Sequence, residues 1–228
     1  MNDLTHTVKQ RASTCSLFLI LFSISAPLIS AQDIQKLDIS QAHGEAAKYR
    51  GKKAVHLVAE PLAGNGTPLA VVKGIEFKDG TIEVDVSGDL AKGASDTARG
   101  FIGIAFRVQD RSEKFELFYL RPTNGRADDQ LRRNHSTQYE SYPEWPWDRL
   151  RKEKPGVYES YVDLEPGVWT RMKIVVSGTR AQLYVNGATQ PCLIVNDLKL
   201  GATQGAIGLW VGPGTDGYFA DLKVTPKK

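Results

Sequence analysis

Cysteine is almost missing from this chain. Of 228 residues only Cys15 and Cys192 are cysteines, and Cys15 precedes an apolar run close to the N-terminus. No intrachain disulfide can then brace the body of the protein, so stability must come from a packed core, which a chain of this length can build. Cys192 sits in the run PCLIV and reads as an inert buried thiol, not a nucleophile. Excess charge of either sign is missing too. Lys and Arg number 29 against 26 Asp and Glu, a formal net charge of +3 spread along the chain. That excludes the clustered basic face of a nucleic-acid binder. No Cys/His group has zinc spacing, and the loose acidic candidates Asp128, Asp129 and Asp216 lack calcium-loop spacing, so neither metal nor cofactor is expected. There is no long helical period, no repeat of fixed length and no low-complexity tract.

The longest apolar run, residues 17–28 (LFLILFSISAPL), is shorter than the ~20 residues that span a bilayer. Lys9 and Arg11 precede it, and Ser30 and Ala31 offer small residues for cleavage. Residues 1–31 therefore read as a signal peptide and 32–228 as one exported domain, periplasmic or extracellular, with no membrane attachment after cleavage.

What is present is a series of short strand-like runs divided by turn signals. They fall at 54–60, 69–72, 75–77, 81–86, 101–108, 114–120, 158–164, 169–177, 181–185, 192–195, 206–211 and 218–224. Lys78-Asp79-Gly80 and Asn186-Gly187 mark tight turns. Many short strands at roughly 8–12-residue spacing predict an all-β sandwich or barrel. Residues 39–50 (ISQAHGEAAKYR) offer at most one helical turn.

Residues two apart on a strand share a face. In 101–108 the set Ile102, Ile104, Phe106 and Val108 reads as core, leaving Phe101, Gly103, Ala105 and Arg107 outward. With Phe115, Leu117 and Tyr119 as core on the partner strand, Glu116 points out beside Arg107, near enough to pair. Small side chains beside that pair leave room for a ligand. Glu83 and Asp85 also share a face, in the order of separation that a retaining glycosidase needs; polar residues on a wet sheet face are the commoner reading. Trp169, Trp210 and His56 read as structural.

The stretch 121–151 (RPTNGRADDQLRRNHSTQYESYPEWPWDRLR) stands apart. It has neither strand nor helix period and too many large rings for a disordered tail. Tyr139, Tyr142, Trp145 and Trp147 alternate with Arg121, Arg126, Arg132, Arg133, Arg149 and Arg151, and with Asp128, Asp129 and His135. It reads as a long functional loop, or as one folded over a sandwich edge with its rings as a satellite core. Flat rings beside guanidinium and carboxylate groups suit a sugar.

The segments GIEFKDGTIEVDV (74–86), GFIGIAFRV (100–108), FELFYLRP (115–122), VWTRMKIVV (168–176), AQLYVNG (181–187) and GAIGLWVGPGTDGYFADLKV (205–224) resemble the concanavalin A-like lectin/glucanase superfamily, in its laminin-G-like branch. They also resemble the bacterial 3-keto-disaccharide hydrolase domain family. The resemblance implies a jelly-roll of two antiparallel sheets with sugar on the concave face or its rim loops, and it makes Arg107 and Glu116 the concave-face polar pair. Against the keto-disaccharide motif N-S-G-[IV]-x-x-R, Arg107 is kept but Phe101-Ile102-Gly103 replaces N-S-G. Against the E-x-D-x-x-E strand of family 16 glycoside hydrolases, Glu83 and Asp85 stand without the final acid/base.

The leading expectation is a non-catalytic binder of an oligo- or polysaccharide. Tyr142, Trp145 and Trp147 stack on sugar faces, and Arg107, Glu116, Arg121, Asp128 and His135 bond hydroxyls. The alternatives are a glycoside-cleaving enzyme using Glu116, Asp128 or His135 as acid/base, and a laminin-G-like protein-interaction module, which an apolar surface patch favours.

Overall fold

The computed structural model describes residues 28–29, 31–59, 67–109 and 112–227. Two antiparallel sheets face each other. The first runs β13 (Leu193–Val195), β12 (Arg180–Val185), β11 (Thr170–Ser177), β6 (Gly80–Leu90), β15 (Thr215–Pro226), β4 (Lys52–Ala59), β3 (Ala42–Tyr49), with the two-residue β1 (Leu28–Ile29) beside β15. The second runs β10 (Glu159–Ser160), β9 (Thr137–Tyr142), β8 (Lys114–Leu120), β7 (Ile102–Gln109), β14 (Ala206–Val211), β5 (Leu69–Val72), β2 (Leu37–Ser40). The protein is an all-β jelly-roll sandwich. No helix among the described residues is long and apolar enough to cross a membrane. Residues 1–27, which hold most of the expected signal peptide, lie outside the described residues.

Alternation builds the core. Ile82, Val84 and Val86 of β6 and Met172, Ile174 and Val176 of β11 project from the first sheet; Ile102, Ile104 and Phe106 of β7, Phe118 and Leu120 of β8 and Ile207, Leu209 and Val211 of β14 meet them. Each such side chain taken out of water contributes about 1.5–3 kcal/mol, and this layer replaces the missing disulfide.

Three expectations are corrected. Residues 39–50 form no helical turn: they supply β2 and β3, and β3 pairs with β4 in unbroken register from Ala42↔Ala59 to Tyr49↔Lys52. Ala, Glu and Lys are good helix formers, but propensity is a small preference that tertiary pairing overrides, and a solvated edge strand accepts them when a partner ladder is at hand. The stretch 121–151 is not one loop. It contains helix α1 (Gln130–Asn134), strand β9 and helix α2 (Trp147–Glu153). Strand β9 (TQYESY) has no aliphatic alternation, yet it is paired on both sides by β8 and β10.

The third correction concerns Arg107 and Glu116. Arg107 has a positive φ of 54°, and the β7–β8 register shifts between Phe106 and Gln109. This bulge turns Arg107 inward and Val108 outward, against the strict alternation read from the sequence. Its guanidinium, fully buried, donates to Lys78 O at 3.0 and 2.9 Å, to Gly178 O at 2.7 Å, to Asp79 Oδ1 at 3.1 Å and to Gly201 O. On β8 the outward set is Phe115, Leu117 and Tyr119, so Glu116 is also inward and fully buried. It accepts from Tyr139 Oη at 2.6 Å and from Leu200 N at 2.8 Å. Both side chains brace the segment at 197–201 from within; neither can touch a ligand.

The outer face of the second sheet is apolar, not an open polar groove. Leu69, Ala105, Phe115, Leu117, Tyr119 and Trp210 form a second buried cluster. Gly103 lies in register with both Tyr119 and Trp210. Its missing side chain lets those two rings meet, centroids 4.9 Å apart, so the room expected beside the small residues is filled.

Candidate functional site

Connections at one end of the second sheet converge: residues 91–101 before β7, 121–136 between β8 and β9, and 212–214 after β14. The segment carrying α2 leaves β9 at the opposite end and returns to join them. Main-chain bonds tie them together, Thr123 N to Arg99 O at 3.3 Å, Arg121 N to Ser136 O at 2.8 Å and Ala91 N to Gly214 O at 2.9 Å. Between them opens a cleft of about 490 Å³, within the range of small-ligand sites. Phe101 and Trp147 form its apolar walls, and Arg99, Arg121, Arg132 and Arg151 its polar ones, with His135 among them. A second depression of about 760 Å³ shares His135 and Arg151 and adds Glu159 and Tyr161.

Arg121 leaves the end of β8 and is buried. It donates to Tyr119 Oη at 2.8 Å, His135 O at 3.1 Å and Gln138 Oε1 at 3.3 Å, and its guanidinium carbon lies 5.9 Å from the Trp147 ring centre. Arg132 is presented by the one-turn helix α1, whose start is capped by Asp129 Oδ1 accepting from Arg132 N at 3.0 Å. Its side chain donates to Asn124 Oδ1 at 3.3 Å and to Thr123 O at 3.4 Å. Trp147 opens helix α2 and is 44% exposed. One turn later Arg151 covers its ring at 4.8 Å and grips Glu159 at 2.7–3.2 Å. His135 Nδ1 lies 2.7 Å from Glu159 Oε2, at ion-pair distance but not aligned as a hydrogen bond. Burial first, then the nearby Arg151 and Arg121 charges, hold the His135 pKa below its usual value against the pull of Glu159, which favours neutral imidazole.

Behind the cleft, Tyr119 Oη donates to Glu140 Oε1 at 2.6 Å. Burial pushes the Glu140 carboxyl up to about 7, against hydrogen bonds from Tyr119 and the Trp147 main chain and the Arg121 charge. Glu140 thus links the floor of the cleft to the start of the helix that carries Trp147.

Of the residues singled out in the sequence, Arg121, His135 and Trp147 are brought together here. Tyr142 is elsewhere, stacked on Phe115 at 5.1 Å over the outer face of the second sheet. Trp145 packs against the main core, with Arg149 over its ring at 3.7 Å and Lys199 at 4.6 Å. Asp128 is exposed and lines neither cavity. Phe101, Arg99, Glu140 and Glu159 were not singled out for the site. Arg132 and Arg151 stood in the arginine-rich stretch, which was their only signal; Arg99 comes from a distant loop and had none.

Other candidates are accounted for. Glu83 and Asp85 lie on the outer face of the first sheet, held by Arg171 at 3.3 and 3.1 Å, with Lys52 also on Asp85. Cys192 donates to Leu183 O at 3.4 Å, and burial raises its thiol to about 11. Among the described residues no cluster of three or more His, Cys, Asp or Glu could hold a metal ion.

No family model and no curated protein matches the chain. Solved structures do. A carbohydrate-binding module, CBM66, from Bacillus subtilis aligns over 81% of this chain and 95% of its own, with TM-score 0.51 and 13% identity. A Bacillus subtilis protein of unknown function with a galectin-like fold gives TM-score 0.54 at 14% identity, covering 87% and 93%. A glycosidic hydrolase gives 0.51 at 14%, covering 90% and 97%. At such identities the likeness defines the fold, a galectin-like β-sandwich.

Proposed function

We propose that this is an exported glycan-binding sandwich whose ligand lies in the rim cleft between Trp147, Phe101 and the four arginines. The leader-like start at residues 1–31 supports export. The observation that carries the binding role is the composition of the cleft: an exposed indole and a phenyl ring stand opposite guanidinium donors, and its described lining residues include no Asp or Glu. Rings offer flat apolar faces to a sugar and the donors reach its oxygens, whereas hydrolysis needs a proton donor and a second carboxylate or base at the scissile bond. Similarity of fold to a carbohydrate-binding module agrees with this reading.

A glycan-array screen of the full-length protein, with reducing-end analysis of each hit, tests it. Binding without new reducing ends is expected. Trp147→Ala should weaken every hit at least tenfold, about 1.4 kcal/mol, while Trp145→Ala, outside the cleft, should leave affinity within twofold. An unchanged affinity in Trp147→Ala would overturn the assignment of the cleft.

One observation favours a second reading, a glycan-cleaving enzyme in the manner of the 3-keto-disaccharide hydrolase family. His135, held neutral beside Glu159 on the wall shared by both cavities, has the form of a general base with an orienting carboxylate. Consumption of a bound glycan, abolished by His135→Gln, would select it.

A further inference from the structure

Several arginines elsewhere in this protein face acids, while Arg50 and Arg133 rest singly on a phenol and a carbonyl. What sets the cleft apart is that three guanidinium groups without an acid partner line one cavity. Arg126 holds Asp163 at 2.9 and 3.1 Å and Glu165 at 2.7 Å, Arg149 holds Glu153 at 2.8 Å, and Arg171 holds Glu83 and Asp85. In the cleft only Arg151 does so, with Glu159. Arg99 donates to the main-chain oxygens of Asp96 and Ala98, both at 2.6 Å. Arg121 rests on a phenol, a carbonyl and an amide, and Arg132 on an amide and a carbonyl. The acids around them are occupied, outward or one hydroxyl away: Asp129 caps helix α1, Asp96 is exposed, and Glu140 meets Arg121 only through the Tyr119 hydroxyl, its carboxyl raised by burial to about 7. Desolvation and the charges of Arg132 and Arg121, which outweigh that of Asp96, all disfavour the protonated form of Arg99.

Three cations are therefore held around one cavity on neutral acceptors, an arrangement that costs free energy in the empty protein and is relieved by an anion. Guanidinium groups bond planar carboxylates and sulfates through paired N–H donors. Beside the flat walls of Phe101 and Trp147, the group that answers both features is a sugar ring bearing a carboxylate or a sulfate ester. Resting on the glycan-binding reading above, we propose that the rim cleft selects acidic glycans, seating the anionic substituent among Arg99, Arg121 and Arg132 while the sugar ring lies against Trp147.

The test is titration of the full-length protein with matched pairs: oligogalacturonate against its methyl ester, and a sulfated galactan oligosaccharide against its desulfated form. The acidic member of at least one pair should bind ten times tighter or more. That preference should shrink several-fold between 50 and 500 mM NaCl, collapse in Arg99→Gln and Arg132→Gln, and survive in Arg132→Lys, which keeps the charge. Trp147→Ala should weaken both members of a pair together. Equal affinity within both pairs would overturn the acidic preference and leave glycan binding standing. Failure to bind any of these or any arrayed glycan would overturn both. Equally tight binding of inorganic phosphate or duplex DNA would assign the arginines to a phosphate ligand and overturn the proposal.

Discussion

Two surfaces of this sandwich carry many cations and treat them in opposite ways. On the outer face of the first sheet the central cations meet acids: Lys52 bonds Asp85 and Asp221, and Arg171 bonds Glu83 and Asp85, while the His56 ring lies between Glu45 at 3.1 Å and Asp216 at 2.5 Å. Aromatic rings there are also satisfied by one another, with Tyr218 stacked between Tyr49 at 3.9 Å and His56 at 4.4 Å. At the rim of the second sheet, Arg99, Arg121 and Arg132 rest on neutral oxygens, and Trp147 stays 44% exposed. A closed network stabilises the fold and asks for no partner. An open one is a place where stability has been forgone, as binding sites often require.

The largest expected effect sets one carboxylate of each region apart. Asp85 has two cations; Glu140 has a phenol and an amide as donors, with the Arg121 charge nearby and that of Asp148 opposing it. A carboxyl whose folded pKa is raised, here from 4.5 to about 7, adds stability in full below 4.5 and loses it as pH rises through 7. Unfolding by urea at intervals between pH 4 and 8 should therefore show wild type losing up to about 3 kcal/mol relative to Glu140→Gln across that window. Parallel curves for the two proteins would mean that Glu140 is an ordinary solvated acid.

Next in size is the closed network. Asp85→Asn leaves Lys52 and Arg171 facing each other across a neutral amide, and a loss of about 1–2 kcal/mol is expected, smaller in high salt. The smallest effect is the sharpest, because it is one of sign. Arg171→Gln should lower stability by about 0.5–1 kcal/mol, whereas Arg132→Gln, measured without ligand, should leave it unchanged or raise it by up to about 0.5 kcal/mol. If both substitutions destabilised alike, the contrast between the two surfaces would fail.

Most strands were legible from alternation and turns. Residues 69–72, 114–120 and 206–211 match β5, β8 and β14 to the residue. Where reading failed, non-local contacts overrode a local pattern. The bulge at Arg107 reverses the facing of two residues, and nothing in FIGIAFRV announces it, because a bulge is a mismatch between two strands. Strand β9 is invisible in TQYESY because its outward side chains are polar ones satisfied by neighbours, Gln138 by Arg121 and Glu140 by Tyr119. At the site, Arg121, His135 and Trp147 were legible from the unusual mixture of rings and arginines. Tyr142 and Trp145, in the same mixture, point to other surfaces because each follows the geometry of its own short element.

By itself the sequence determined an all-β sandwich without disulfides, since strand alternation, turn residues and the scarcity of cysteine are local properties that any partner arrangement must respect. It also marked the segment from which most of the cleft is made. Only the tertiary structure decided which arginines would face acids and which would not, because Coulomb pairing depends on distance in space, and Arg99 reaches Arg121 and Arg132 only when separate connections close over the same end of the sheet.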